Sequence, residues 1–156
     1  AIPTKEGGYP RTGSRTPMQW NAGRNLGFSE GAEEDLYLPV ESDALHTVQA
    51  QEFDPDSMLS HVKKLIALRH QEPELQNYSP FEVYAAEGRL FAYKRGELLV
   101  AMNPGTGEEL CRLDRAYTPI YTFGAPAVEG STLHLPAQSF IVLKPEEEEI
   151  PACSDR

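Results

Sequence analysis

The sequence predicts a mainly β fold: an antiparallel β-sandwich in the C-terminal half, preceded by a long loop and one α-helix. Three observations predict it. The first third has loop composition, a single capped amphipathic segment follows, and from about residue 80 the apolar period shortens to strand-like runs separated by turn residues. At 156 residues and 40% apolar, the chain can bury a real core, as one domain or as one small domain with an appendage.

Residues 1–53 are dense in Gly, Pro, Asn, Ser and charge, with apolar islands only at Met18 to Trp20, Leu26 to Phe28 and Leu36 to Val40. A structureless stretch much longer than roughly 15 residues is uncommon inside a compact domain and is usually functional or disordered. Trp20, Phe28 and Tyr37 argue against disorder, because disordered segments are poor in aromatics. The segment is therefore expected to pack on something.

The helix is expected over residues 54–72. Asp54 can cap it with Pro55 in the first turn, or Asp56 and Ser57 can cap it one turn later. Met58, Leu59, Val62, Leu65, Ile66 and Arg69 follow helical spacing and lay an apolar stripe, while Lys63, Lys64 and Arg69 suit the dipole of the C-terminal half. Pro73 limits the helix. Over residues 79–144 seven runs read as strands: "FEVYAA", "LFAYKR", "LLVAMN", "ELCRL", "PIYTF", "STLHL" and "SFIVLK". The nearly all-apolar Leu98 to Met102 belongs at the centre of a sheet, covered on both faces. Residues 145–156, with the acidic run Glu146 to Glu149, are expected to be a solvated, disordered tail.

Charge and composition exclude several functions. Twenty-four acidic against fourteen basic side chains give a net charge of −10, which opposes binding to a phosphate backbone, so no nucleic-acid partner is expected. No apolar run approaches the roughly 20 residues that span a bilayer, and the opening residues lack the apolar stretch of a secretory signal. The chain begins at Ala1 rather than methionine, which processing or excision from a longer polypeptide would explain. Cys111 and Cys153 are too few for a disulfide framework and lack zinc spacing; Cys111 is expected to pack as a small apolar residue, and a reducing cytoplasm fits best. No metal and no cofactor are expected.

Most apparent chemical motifs have a plainer explanation. Ser60 and Lys63 have the spacing of a serine–lysine nucleophile, but both lie mid-helix among other charges. Asn103 to Gly107, "NPGTG", lacks the Lys-Ser/Thr ending and following helix of a phosphate loop, and reads as a hairpin turn. His46, His61, His70 and His134 have no metal-ligand spacing. Glu30, Glu33 and Glu34 read as solvated loop residues.

"SRTPMQW", Ser14 to Trp20, concentrates different chemistry. Pro17 pins the backbone, Arg15 presents a planar fork of donors, Gln19 adds an amide and Trp20 a flat apolar face, the combination that sugar recognition uses. The alternative is a loop anchored by one buried tryptophan.

This segment, followed in order by "NLGF", "LYLPV", "TVQAQ" and "DPDSMLSHVKKLIALR", resembles the C-terminal part of α-glucosidases of the α-amylase superfamily (glycoside hydrolase family thirteen), the group of oligo-1,6-glucosidase, dextran glucosidase and trehalose synthase. The resemblance covers residues 5 to 72, and the strand-rich remainder fits the C-terminal sandwich of those enzymes. It implies that residues 1–53 are the loop after the eighth strand of a (β/α)₈ barrel, lying over the active-site face, and that residues 54–72 are the last barrel helix. A whole barrel typically takes about 250 residues, so the barrel and its catalytic carboxylates are expected upstream, with no catalytic residue in this chain.

The resemblance makes Arg15 a ligand of the terminal glucose and gives Gln19 and Trp20 mainly the task of shaping the loop. It implies a retaining hydrolase acting on short α-linked gluco-oligosaccharides, inactive as this chain alone, whose partner is the N-terminal barrel. Without that barrel, the exposed helix stripe is expected to promote self-association. Two other functions compete: a free-standing carbohydrate-binding sandwich using Trp20 and exposed tyrosines such as Tyr117 and Tyr121, and a purely structural sandwich. For residues 79–144 the last is favoured, because the aromatics alternate as core residues do.

Overall fold

The computed structural model describes residues 15–40 and 46–146, and the chain divides into two compact units, residues 1–68 and 69–156. In the first unit, residues 15–40 form an irregular but hydrogen-bonded loop with a 3-10 turn at Glu33–Asp35. A five-residue helix that the sequence pattern did not announce, α1 (Val48–Glu52), follows. Its sequence, VQAQE, carries one strongly apolar residue and so no readable stripe.

The long helix, α2, runs Met58–Gln71, and its start is the later of the two expected alternatives. Ser57 Oγ accepts the Ser60 N–H at 3.2 Å, so Ser57 is the capping residue. Asp54 instead builds a local turn by accepting the Asp56 N–H at 2.9 Å. Met58, Val62 and Ile66 are exposed, while Leu68, which is not part of the expected stripe, is buried. The serine–lysine pattern dissolves, since Ser60 Oγ donates to the Asp54 carbonyl and Lys63 lies 3.8 Å from Glu52.

Among the described residues, the second unit is a two-sheet sandwich of eight strands. Strands β1 (Phe81–Glu87), β2 (Leu90–Arg95), β3 (Leu98–Asn103), β5 (Tyr117–Phe123) and β8 (Ser139–Pro145) form one sheet in the order β1-β2-β3-β8-β5. The other sheet is β4 (Glu109–Arg112), β7 (Thr132–Leu135) and β6 (Ala127–Glu129) in the order β4-β7-β6, and every pairing is antiparallel. Seven strands correspond to the expected runs; β6 is additional, because "AVE" is too short for a period to show. As expected, β3 is central and buried on both faces: Leu99 and Ala101 point into the core with Ile141 and Leu143, and Leu98 and Val100 are buried on the opposite face.

Cys111 packs in that core with Leu113, Leu133 and Leu135. So does Tyr117, in line with the structural reading of the sandwich and against the competing one in which it is an exposed sugar platform: it is only 4% exposed, and its hydroxyl donates to Asp114 Oδ1 at 3.0 Å. The irregularity between Pro119 and Tyr121 breaks the simple alternation that a sequence reading assumes, so Tyr117 turns inward while Tyr121 packs against Phe140. Pro119 is tolerated because β5 is an edge strand.

"NPGTG" is a turn held by its asparagine. Asn103 is fully buried; its amide nitrogen donates to the carbonyls of Gly107, Leu135 and Pro136 at 2.7, 2.9 and 3.0 Å, and its oxygen accepts the Gly105 N–H at 2.9 Å. At the far end, β8 extends to Pro145 and the Glu146 N–H donates to Ala116 O. The rest of the expected tail, from residue 147, lies outside the described residues.

Candidate functional site

The loop carrying Arg15, Gln19 and Trp20 is positioned by its backbone. The carbonyls of Gln19 and Trp20 accept the N–H groups of Val48 and Gln49 at 2.9 and 3.0 Å, and Thr47 Oγ1 accepts that of Ala50 at 3.2 Å. The first turn of α1, whose donors have no partner within the helix, is thereby satisfied by the loop and its cap. Trp20 N–H and Asn21 N–H both donate to Leu26 O, at 2.8 and 3.2 Å, which folds residues 20–26 back on themselves.

That reversal runs through three consecutive left-handed residues, Asn25 (φ 47°), Leu26 (φ 51°) and Gly27 (φ 74°). Leu26 there costs roughly 1–2 kcal/mol, because its Cβ crowds the following carbonyl. Asn25 suits the conformation and reinforces it, its amide donating to Ser29 O and Gly31 O at 2.8 and 3.0 Å. A Cβ at 27 would also sit 2.6 Å from the Asn21 amide nitrogen, so that side chain would have to move aside. So "NLGF" supplies a strained turn, and its stitching resists rearrangement.

Arg15, Pro17, Met18, Phe28, Tyr37 and Leu38 line an open concavity of about 250 Å³. Apart from Thr16 its walls are apolar and aromatic, and among the described residues lining it the one charged group is the Arg15 guanidinium. Chemically, such a surface can stack the apolar face of a ring and donate several hydrogen bonds to hydroxyls. Of the three residues singled out in the sequence, Arg15 lines the concavity; Gln19 and Trp20 do not, though Trp20 is half exposed rather than interred. Phe28 and Tyr37 complete the site. Their signal was their place in short apolar islands inside polar sequence, which marked them as ordered without showing that they converge on Arg15. Glu30, Glu33 and Glu34 are exposed, as expected.

A second polar cluster lies in the sandwich. Lys94 Nζ donates to Asp114 Oδ2 at 2.6 Å and stands 5.1 Å above the Tyr84 ring, and Arg115 donates to Glu97 Oε2 at 2.5 Å. Burial works to raise the Asp114 carboxyl, but the hydrogen bonds from Lys94 and Tyr117 and the Lys94 charge outweigh it and hold it below the usual carboxylate range. The bond to Asp114 raises Lys94 against its own partial burial. Burial pushes up the Tyr84 and Tyr117 hydroxyls and the Cys111 thiol. Asp114 and Lys94 thus hold each other in their ordinary charge states, the reverse of a group poised to exchange protons near neutrality. Among the described residues, no group of three His, Cys, Asp or Glu is placed to hold a metal.

Comparison with known proteins gives consistent similarities. Residues 4–78, just under half of the chain, match the family described as Alpha amylase, catalytic domain. The chain is 41% identical over 87 residues to a probable oligo-1,6-glucosidase 2 of Bacillus subtilis (strain 168), covering 54% of this chain and 15% of that protein. It is 34% identical over 91 residues to a trehalose synthase of Thermus thermophilus, covering 54% of this chain and 9% of the other. It thus spans only a small part of these relatives.

Among solved structures, the trehalulose synthase MutB of Pseudomonas mesoacidophila MX-45 superposes with a TM-score of 0.76 at 24% identity, over 88% of this chain and 26% of that one. A mutant isomaltulose synthase of Erwinia rhapontici NX5 gives 0.75 at 24%, with the same coverage. At this identity the likeness speaks for the fold: a sandwich preceded by helices, the fold of an amylase C-terminal domain. Among the described residues, no helix is long and apolar enough to cross a membrane.

Proposed function

We propose that this chain is the C-terminal part of a retaining α-glucosidase-type glycoside hydrolase acting on short α-linked gluco-oligosaccharides. In this reading the concavity around Arg15 forms one wall of the sugar site. The observation that carries it is the convergence of one guanidinium with Phe28, Tyr37 and Met18 on a loop stitched to α1, within the segment that matches the α-amylase catalytic domain. Relatives named oligo-1,6-glucosidase and α-glucosidase support the substrate class.

Retaining hydrolysis needs two carboxylates about 5–5.5 Å apart, one attacking the anomeric carbon and one protonating the leaving oxygen. In this reading both belong to a preceding (β/α)₈ barrel, and residues 1–53 and 54–72 are that barrel's last loop and last helix. Arg15 holds the terminal glucose by hydrogen bonds to its hydroxyls, and Gln19 and Trp20 fix the loop's shape. Met58, Val62 and Ile66, at 74%, 43% and 54% exposed, are the face the barrel covers, and without it they drive self-association. The buried free thiol of Cys111 suits a cytoplasmic location.

The test compares two proteins on isomaltose and maltose: the 156-residue chain, and the full polypeptide that carries it behind a barrel. Hydrolysis by the second alone, weakened by Arg15→Ala, supports the reading. Glucose release by the chain alone, or an Arg15→Ala enzyme with unchanged kcat/KM, overturns it. For residues 79–144 a structural function fits better than sugar binding, because Tyr117 is in the core and Tyr121 is engaged with Phe140.

A further inference from the structure

The loop bearing Arg15 hangs from α1, and α1 is five residues long. Isolated helices shorter than roughly 12–15 residues are marginal in water, so α1 cannot by itself hold a loop in place. Something must fasten it to a longer element, and one side chain spans that gap. Gln51 Nε2 donates to the carbonyl of His46, ahead of α1, at 2.8 Å, while Gln51 Oε1 accepts the N–H of Leu59, in the first turn of α2, at 3.1 Å. The backbone supports the same joint, with Ser57 Oγ 2.7 Å from Gln51 O.

The geometry points to Gln51 as a positioning residue for the sugar site: it ties α1 to α2 and so fixes the loop whose Gln19 and Trp20 carbonyls seat on α1. The tie is bifunctional, because one end of the amide must donate and the other must accept. A continuous series of hydrogen bonds leads from Leu59 through Gln51 to His46 and α1, and from Val48 and Gln49 to Gln19 and Trp20, four and five residues after Arg15. The conclusion that this matters for sugar binding rests on the α-glucosidase reading above; the tie itself does not.

The amide's asymmetry provides the test. Gln51→Glu keeps an acceptor for Leu59 N–H, at a helix N-terminus that favours negative charge, but sets a carboxylate oxygen against the His46 carbonyl. A residue that only capped α2 would be undisturbed by that change. Two readouts are taken on the 156-residue chain, in which Trp20 is the only tryptophan: its fluorescence anisotropy, and amide exchange at Val48 and Gln49. Gln51→Glu is expected to lower the anisotropy and speed exchange at both amides by about tenfold, while the thermal unfolding of the sandwich is unchanged.

In the full polypeptide the same substitution is expected to raise KM for isomaltose about tenfold with kcat within about twofold, the mark of lost substrate binding. Gln51→Ala, which breaks both ends, should do the same and also loosen the start of α2. Unchanged anisotropy and exchange in Gln51→Glu would overturn the positioning proposal. Loosened Trp20 with an unaltered KM would uphold the tie and overturn the sugar-site reading of the loop.

Discussion

Replacing Asn103 by alanine is the most severe single change expected in the sandwich, although the residue carries no charge. Its amide makes four hydrogen bonds, and those to Leu135 O and from Gly105 N are fully buried. A buried polar group left without a partner costs roughly 1–3 kcal/mol, whereas the half-buried carbonyls of Gly107 and Pro136 can find water and cost about 0.5–1 kcal/mol each. The middle of these ranges comes to about 5–6 kcal/mol, in the exceptional range for one substitution. For a domain of this size each kcal/mol moves Tm by about 4–8 °C, so a fall of about 20–45 °C is expected, or no folded sandwich at all.

Asn103→Asp should be at least as damaging. It keeps the acceptor for Gly105 but aims a carboxylate at three carbonyl oxygens. The assay is urea and thermal unfolding followed by far-ultraviolet circular dichroism, with Thr106→Ala as an exposed control in the same turn. If Asn103→Ala loses less than about 1 kcal/mol, the network is not what holds the turn and the reasoning fails. If added inorganic phosphate raises Tm in the parent chain but not in Asn103→Ala, the turn binds an anion after all.

The remaining expectations concern charge, burial and ligand. Asp114 lies below its unfolded value of about 3.9, so its contribution is present above that pH and is lost as pH falls through the folded pKa; Lys94 lies above its unfolded value of about 10.4, so its contribution is complete below that pH and is lost as pH rises through the folded pKa. Asp114→Asn should therefore flatten the acid limb of the urea midpoint against pH, and an unaltered limb would remove the pair from the account. In a Cys153→Ser background, Cys111 should resist iodoacetamide at neutral pH until the chain is unfolded, because burial disfavours its thiolate; ready labelling of the native protein counts against its core placement.

Gly124→Ala should cost about 3 kcal/mol by urea titration, since φ is +75° and the new Cβ would lie 2.7 Å from Gln138 O and 2.9 Å from Ser139 Cα, backbone atoms that cannot swing away. A neutral effect would mean that the turn relaxes. In the full polypeptide, Arg15→Ala should lower kcat/KM by about 10–100-fold, the loss of charge-assisted hydrogen bonds worth roughly 1.5–3 kcal/mol. A smaller change excludes Arg15 as a sugar ligand.

What the sequence revealed and what it hid follow from how far each interaction reaches along the chain. The strands β2 and β3 could be read to the residue, because alternating apolar side chains and the turns at Gly88 and Gly96 are local signals, and both glycines adopt the positive φ those turns need. Strand β6 could not, since three residues do not make a period; it exists because β7 offers it an edge. Tyr117 lies in the core, as the favoured structural reading of the sandwich has it, but alternation alone could not separate it from Tyr121, because the irregularity at Pro119 to Tyr121 breaks the register between them.

In the first unit the difficulty is greater. "VQAQE" holds good helix formers, but five residues neither show a period nor sustain a helix alone. What stabilises α1 is the pair of carbonyls at Gln19 and Trp20, about thirty residues earlier, and the amide of Gln51 reaching to α2. Backbone carbonyls carry no residue identity, so a sequence can show that "MQW" is unusual without showing that its main chain is the part at work. The same holds for the concavity. Arg15 declared itself by its chemistry, but Phe28 and Tyr37 reach it only because Asn25, Leu26 and Gly27 turn the chain through a left-handed reversal. The site is thus specified less by the side chains that line it than by the turn that brings them together. Substitutions at Gly27 should therefore disturb it as much as substitutions at Phe28.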